Sequence, residues 1–131
     1  MTIRPQAMPL RALLAATLLP LALAAPAAWA GEADIGPVFI DSVAVVTVAS
    51  GGHMAGNFEI HVKGGFQAGN AVRCDPSYIT TRQSDDPTQV AVSLLLSAKL
   101  NKLPLLLRIT DAPAHNAYAG RCSLVYITVS Q

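Results

Sequence analysis

Two cysteines, Cys74 and Cys122, constrain this chain more than any other pair of residues. They are the only ones in 131 residues, and both follow a segment that reads as an export leader. Arg4 and Arg11 make a short positive region. Residues 12–25 are then fourteen positions rich in Leu and Ala, too short to span a bilayer, interrupted at Pro20 and followed by Pro26 and the small-x-small pattern Ala28-Trp29-Ala30. Cleavage is expected after Ala30. Residues 31–131 would then reach the periplasm or the exterior as one domain, without stable membrane insertion. In an oxidising compartment the two thiols pair. The bond would close a loop of about 49 residues and, in the chain-entropy account, stabilise the domain by roughly 4 kcal/mol. A metal site or a catalytic thiol is the competing reading, and neither cysteine has a second Cys or a His at ligand spacing.

The staple matters because the exported part is small: a domain of about 100 residues buries roughly two thirds of its unfolded surface. With 52% apolar and 13% charged residues the chain is too apolar for disorder. Losing Arg4 and Arg11 with the leader leaves seven basic against eight acidic residues, a charge of −1. No strong field attracts nucleic acid or anionic lipid, and the basic residues are too dispersed for a cationic groove. Trp29 also leaves, so the aromatics that remain are Phe39, Phe58, Phe66, Tyr78, Tyr118 and Tyr126.

Residues 38–48 are rich in Val and Ile and end at the turn signal Ser50-Gly51-Gly52. Both faces are apolar over the second half, which predicts a strand covered on both sides. Phe58, Ile60 and Val62 alternate with Glu59, His61 and Lys63, the period of a strand with one wet face, and Gly64-Gly65 ends it. Residues 77–82 predict a short third strand. Asp86-Pro87-Thr88-Gln89 then places an Asp at an N-cap, a Pro at the first helical position and a Gln three residues after the cap. A helix is predicted to about Leu100 or Asn101, with Lys99 and Lys102 at its negative end and Pro104 barring continuation. Residues 105–110 and 123–130 supply the fourth and fifth strands, with a loop over 111–120. The order β-β-β-α-β-β predicts a β-rich α+β fold, a small five-stranded OB-like barrel with one helix between the third and fourth strands. From Val90 to Leu100 the apolar residues exceed a single stripe, so the helix has a second surface to cover, with this chain's own loops or with a neighbouring subunit.

Together the leader, Phe58-Glu59-Ile60-His61-Val62, the capped helix, residues 105–110 and Cys122-Ser123-Leu124-Val125-Tyr126-Ile127 resemble a group of small exported bacterial proteins. That group is similar to the B subunits of subtilase-type and pertussis-type toxins. The resemblance implies an OB-fold that assembles into rings and binds host glycans. It carries over no individual sugar-contacting residue.

Sugar sites stack an aromatic face on the ring and fix its hydroxyls with polar side chains. The candidate ligand-binding residues form two sets: Phe66, Gln67 and Asn70 after the second strand, and His115, Asn116 and Tyr118 in the loop before the last. For a metal, His53 and His61 lie eight residues apart across an expected hairpin with Glu59 on the face of His61, but without a helical His-x-x-x-His or a Cys pair they read as solvated histidines. Ser50-Gly51-Gly52-His53, or Asp111 with His115, can be drawn as catalytic pairs, yet neither is a nucleophile motif. Asp85 and Asp86 are adjacent at a helix start, where they complement its dipole, instead of facing each other across a sugar. The reading is a non-enzymatic binding domain, without metal or cofactor, that recognises a glycan or an envelope or secreted protein in the manner of toxin B subunits. An interaction or inhibitor module of the envelope is the alternative, and a small hydrolytic or metal-dependent enzyme using His53, His61 or His115 the more distant one.

Overall fold

In the computed structural model, which describes residues 30–130, six strands and one helix follow one another: β1 Glu32–Val38, β2 Ile40–Val45, β3 Phe58–Val62, β4 Tyr78–Thr81, α1 Val90–Leu100, β5 Leu105–Thr110 and β6 Cys122–Val129. The expected leader, residues 1–30, lies outside the described residues except for Ala30. The strands form one open mixed sheet in the order β1-β5-β6-β4-β3-β2, antiparallel except where β4 runs beside β6. The β-rich α+β class therefore holds, with six strands in an open sheet where five in a barrel were expected.

The difference lies at the start. Of the expected strand over 38–48, Val38 closes β1 and only Ile40–Val45 forms β2. Asp34, Gly36 and Pro37 give β1 the composition of a loop. It forms because β5 supplies a partner, pairing Ala33 with Ile109, Asp34 with Arg108 and Ile35 with Leu107, while Ile35 and Val38 sink into the core. The register slips between Ile35 and Val38. Pro37 has no N–H for the ladder there, and Gly36 sits at φ 139 with Leu105 O 2.6 Å from where a Cβ would stand.

β1 and β2 are the two outer strands, and only Phe39 separates them. Six flat strands would hold the edges about 24 Å apart, so one residue can join them only because the sheet curls. The Lys63 N–H donates to Phe39 O at 2.8 Å and fixes that corner. The expected double covering of residues 38–48 is not found: Val45 is 45% and Val48 74% exposed. Val45 ends β2 opposite the buried Phe58, at the margin of the core, and Val48 lies beyond the strand, so neither is covered.

The core lies inside the curl, where Phe58, Ile60 and Val62 of β3 meet Leu105, Leu107 and Ile109 of β5. Helix α1 adds Val92, Leu95 and Ala98, a narrow stripe, and leaves Val90, Leu96 and Leu100 exposed. Its first residue is Val90, three later than Pro87, with Gln89 at φ 56 as the flanking residue. Asp86 still does a cap's work from further off, accepting from the Ala91 N–H at 3.1 Å and the Val92 N–H at 3.3 Å. At the other end the Leu103 N–H reaches Ala98 O at 2.9 Å around Lys102 at φ 52, a left-handed helix stop.

The parallel seam between β4 and β6 is short, pairing Ile79 with Cys122 and Thr80 with Ser123. The Cys74–Cys122 disulfide is formed beside it, with the Cα atoms 5.3 Å apart, and the Asp75 N–H donates to Gly120 O at 2.8 Å. The expected staple thus ties the sheet where its own hydrogen bonding is least. Among the described residues no helix is long and apolar enough to cross a membrane.

Candidate functional site

Strand alternation turns Glu59 and His61 of β3 outward, and the β3–β4 register sets His61 directly opposite Tyr78. The β4–β6 register, Ile79 against Cys122, carries the preceding residue Arg121 level with Tyr78. These pairings build a continuous strip. The His61 and Tyr78 rings lie 4.8 Å apart, the Arg121 guanidinium carbon stands 4.4 Å from the Tyr78 centroid and 4.5 Å from that of Tyr118, and Tyr118 stacks on His53 at 4.2 Å. His53 is delivered by a tight turn in which Ser50 and His53 exchange backbone hydrogen bonds at 2.9 and 3.1 Å around Gly51 and Gly52, both at positive φ.

Charge along the strip is matched. Arg121 forms an ion pair with Glu59, both side chains being 18% exposed. Burial draws the Arg121 pKa below its ordinary value; a guanidinium remains charged nonetheless. Asp41 Oδ2 lies 3.0 Å from His61 Nδ1 and ends the row. The result is two phenol rings, two imidazoles and a guanidinium presented on the outer surface, with their carboxylates already paired. Such a surface can stack on a planar or C–H-rich ligand and hydrogen-bond to its rim. His53 and His61 stand at opposite ends of the strip, and Glu59 is committed to Arg121, so the three do not converge as the metal reading requires. Among the described residues no group of three or more His, Cys, Asp or Glu is placed to hold an ion.

The six residues expected to bind ligand are only partly gathered. Phe66, Gln67 and Asn70 line one cleft beside Cys74, where Phe66 is 8% exposed and packs as part of the core. His115 lines a different cleft and lies 3.4 Å from Asp85 Oδ2. Asn116 turns its Oδ1 to the Tyr118 N–H at 2.9 Å, holding the loop that presents that ring. Only Tyr118 enters the strip. Asp111, drawn as a partner for His115, instead accepts from the backbone N–H groups of Gly31 and Arg73. Tyr78 and Arg121 were missed as site residues. The one sequence signal for Arg121 was its adjacency to Cys122.

A second outward cluster crosses β1, β5 and β6. Arg108 Nε donates to Asp34 Oδ1 at 2.8 Å and Nη2 to Oδ2 at 2.6 Å, while the Tyr126 hydroxyl donates to Asp34 Oδ1 at 3.2 Å. The registers place Asp34 opposite Arg108 and Arg108 opposite Tyr126, so the cluster is a cross-strand contact on an exposed face. Compared with protein-family models, with curated proteins and with solved structures, the chain finds no match.

Proposed function

We propose that this chain is an exported, non-enzymatic binding domain of OB type that recognises a glycan through the strip from His53 to His61. Counting β1 and β2 as one strand broken at Phe39 restores the order β-β-β-α-β-β and supports the OB reading. In that fold the second and third strands and the loops after the first and fourth form the face that takes oligosaccharides or oligonucleotides. Here those parts are β3, β4, the turn carrying His53 and the loop carrying Tyr118. A single guanidinium paired with a carboxylate is a poor match for a phosphate backbone and a good one for hydroxyls beside an aromatic face. The disulfide and the leader motif support delivery to the periplasm or the exterior.

The observation that carries the reading is the unbroken stacking of His53, Tyr118, Arg121, Tyr78 and His61. The test is a glycan array with the exported domain. Tyr118→Ala is expected to weaken binding by about tenfold, the loss of one aromatic contact. Uniform silence on the array together with specific capture of one envelope protein replaces this reading with that of an interaction or inhibitor module. The exposed Val90, Leu96 and Leu100 of α1 support self-association through the helix, as in toxin B subunits. Sedimentation should then show an assembly at high micromolar concentration, and a monomer removes that part of the proposal.

A further inference from the structure

Gly31, the residue that follows the expected cleavage point, is gripped on every side. Its N–H donates to Asp111 Oδ1 at 2.7 Å, and its carbonyl accepts from Thr110 Oγ1 at 2.8 Å and from the Asp111 N–H at 3.3 Å. A Cβ on Gly31 would run into the Ala71 carbonyl, so no other residue fits without displacing the backbone. Asp111 is held in turn, its Oδ2 accepting from the Arg73 N–H at 3.0 Å. Among the described residues no Lys, Arg or His side chain forms an ion pair with Asp111. A fixed, half-buried carboxylate therefore faces the one backbone nitrogen that leader removal would charge.

We infer that export processing completes the fold by creating an ion pair between the α-ammonium group of Gly31 and the Asp111 carboxylate, which locks the start of β1 into the sheet. Hydrolysis of the Ala30–Gly31 peptide bond by an export peptidase consumes one water, leaves a carboxylate on Ala30 and an amine on Gly31, and that amine takes up the proton. An N–H···carboxylate bond becomes an ammonium–carboxylate pair on atoms already in place, and such bonds are roughly twice as strong as neutral ones. The charge appears at the head of β1, an outer strand whose sequence reads as loop and which depends on its pairing with β5. This inference rests on the cleavage site and is independent of the ligand.

The full chain, exported with its own leader and purified, tests both steps separately. Mass spectrometry is expected to find Gly31 as the first residue, and any other start overturns the premise. The α-amine is then acylated with a small amine reagent near neutral pH, and the N-terminal peptide is quantified over time. The native protein should react about tenfold more slowly than the urea-unfolded protein, the effect of holding the amine protonated by about one pKa unit. Native Asp111→Asn should react at close to the unfolded rate. Equal rates for native and unfolded wild type, or an Asp111→Asn protein as protected as the wild type, overturn the pairing. The comparison within the wild type stands even if the variant fails to fold.

Discussion

Arg121 stands one residue before Cys122, and that adjacency governs where its charge goes. Because Cys122 is pinned both to Cys74 and against Ile79, the guanidinium has little choice but to lie over Tyr78 and meet Glu59. The alternation of Glu59 and His61 was legible from the sequence, whereas their neighbours across the sheet were not. Asp34 makes the same point at the opposite side. The Arg108 guanidinium, donating to both oxygens, holds its carboxyl below the ordinary 3.8, against partial desolvation and with help from the Tyr126 hydroxyl. A lowered folded-state pKa means that the unfolded chain binds the proton first. Its stabilisation is therefore complete above 3.8 and lost as pH falls through the lower folded value. The effect is small, since the side chain is 60% exposed. Urea midpoints measured from about pH 5 to about pH 2 should decline less steeply below about pH 4 for Asp34→Asn than for the wild type. Parallel declines would show that the pair contributes nothing.

At the level of elements, α1 and β1 are opposites. The Asp-Pro start signal and the Pro104 stop located the helix to within a turn, because capping is local chemistry that a few neighbouring residues decide. The start moved from Pro87 to Val90 because the carboxylate of Asp86 reaches the first free N–H groups from outside the helix. At the far end Lys102 occupies a left-handed position that favours glycine. Lys102→Gly is expected to raise stability by about 0.5–1 kcal/mol, readable as a shift in urea midpoint, because the side chain is exposed and, among the described residues, forms no ion pair that offsets the backbone strain. No change in midpoint would mean that the turn relaxes without cost. β1 was illegible because Asp34, Gly36 and Pro37 carry turn signals, and only β5 makes them a strand.

Across the whole molecule, the Cys74–Cys122 bond spans 48 positions and lies beside the short parallel seam. Reduction, or Cys74→Ser with Cys122→Ser, is expected to cost about 4 kcal/mol, measured as the difference in unfolding free energy between oxidised and reduced protein. A cost under about 1 kcal/mol would show that the unfolded chain is already compact and that the loop entropy is not the source of stability. The stacked strip depends on the same seam, since three of its five members are Tyr78 on β4, Arg121 beside the bond and Tyr118 in the loop before it. By itself the sequence determined the covalent staple, the helix and the amphipathic strand β3, because each is written in a few residues whose spacing or capping carries the physics. The tertiary structure alone decided the curl that joins the sheet's two edges at Phe39, the recruitment of β1 and the alignment of His53, Tyr118, Arg121, Tyr78 and His61. Those outcomes follow from cross-strand register, which brings together positions tens of residues apart and leaves no periodic trace along the chain.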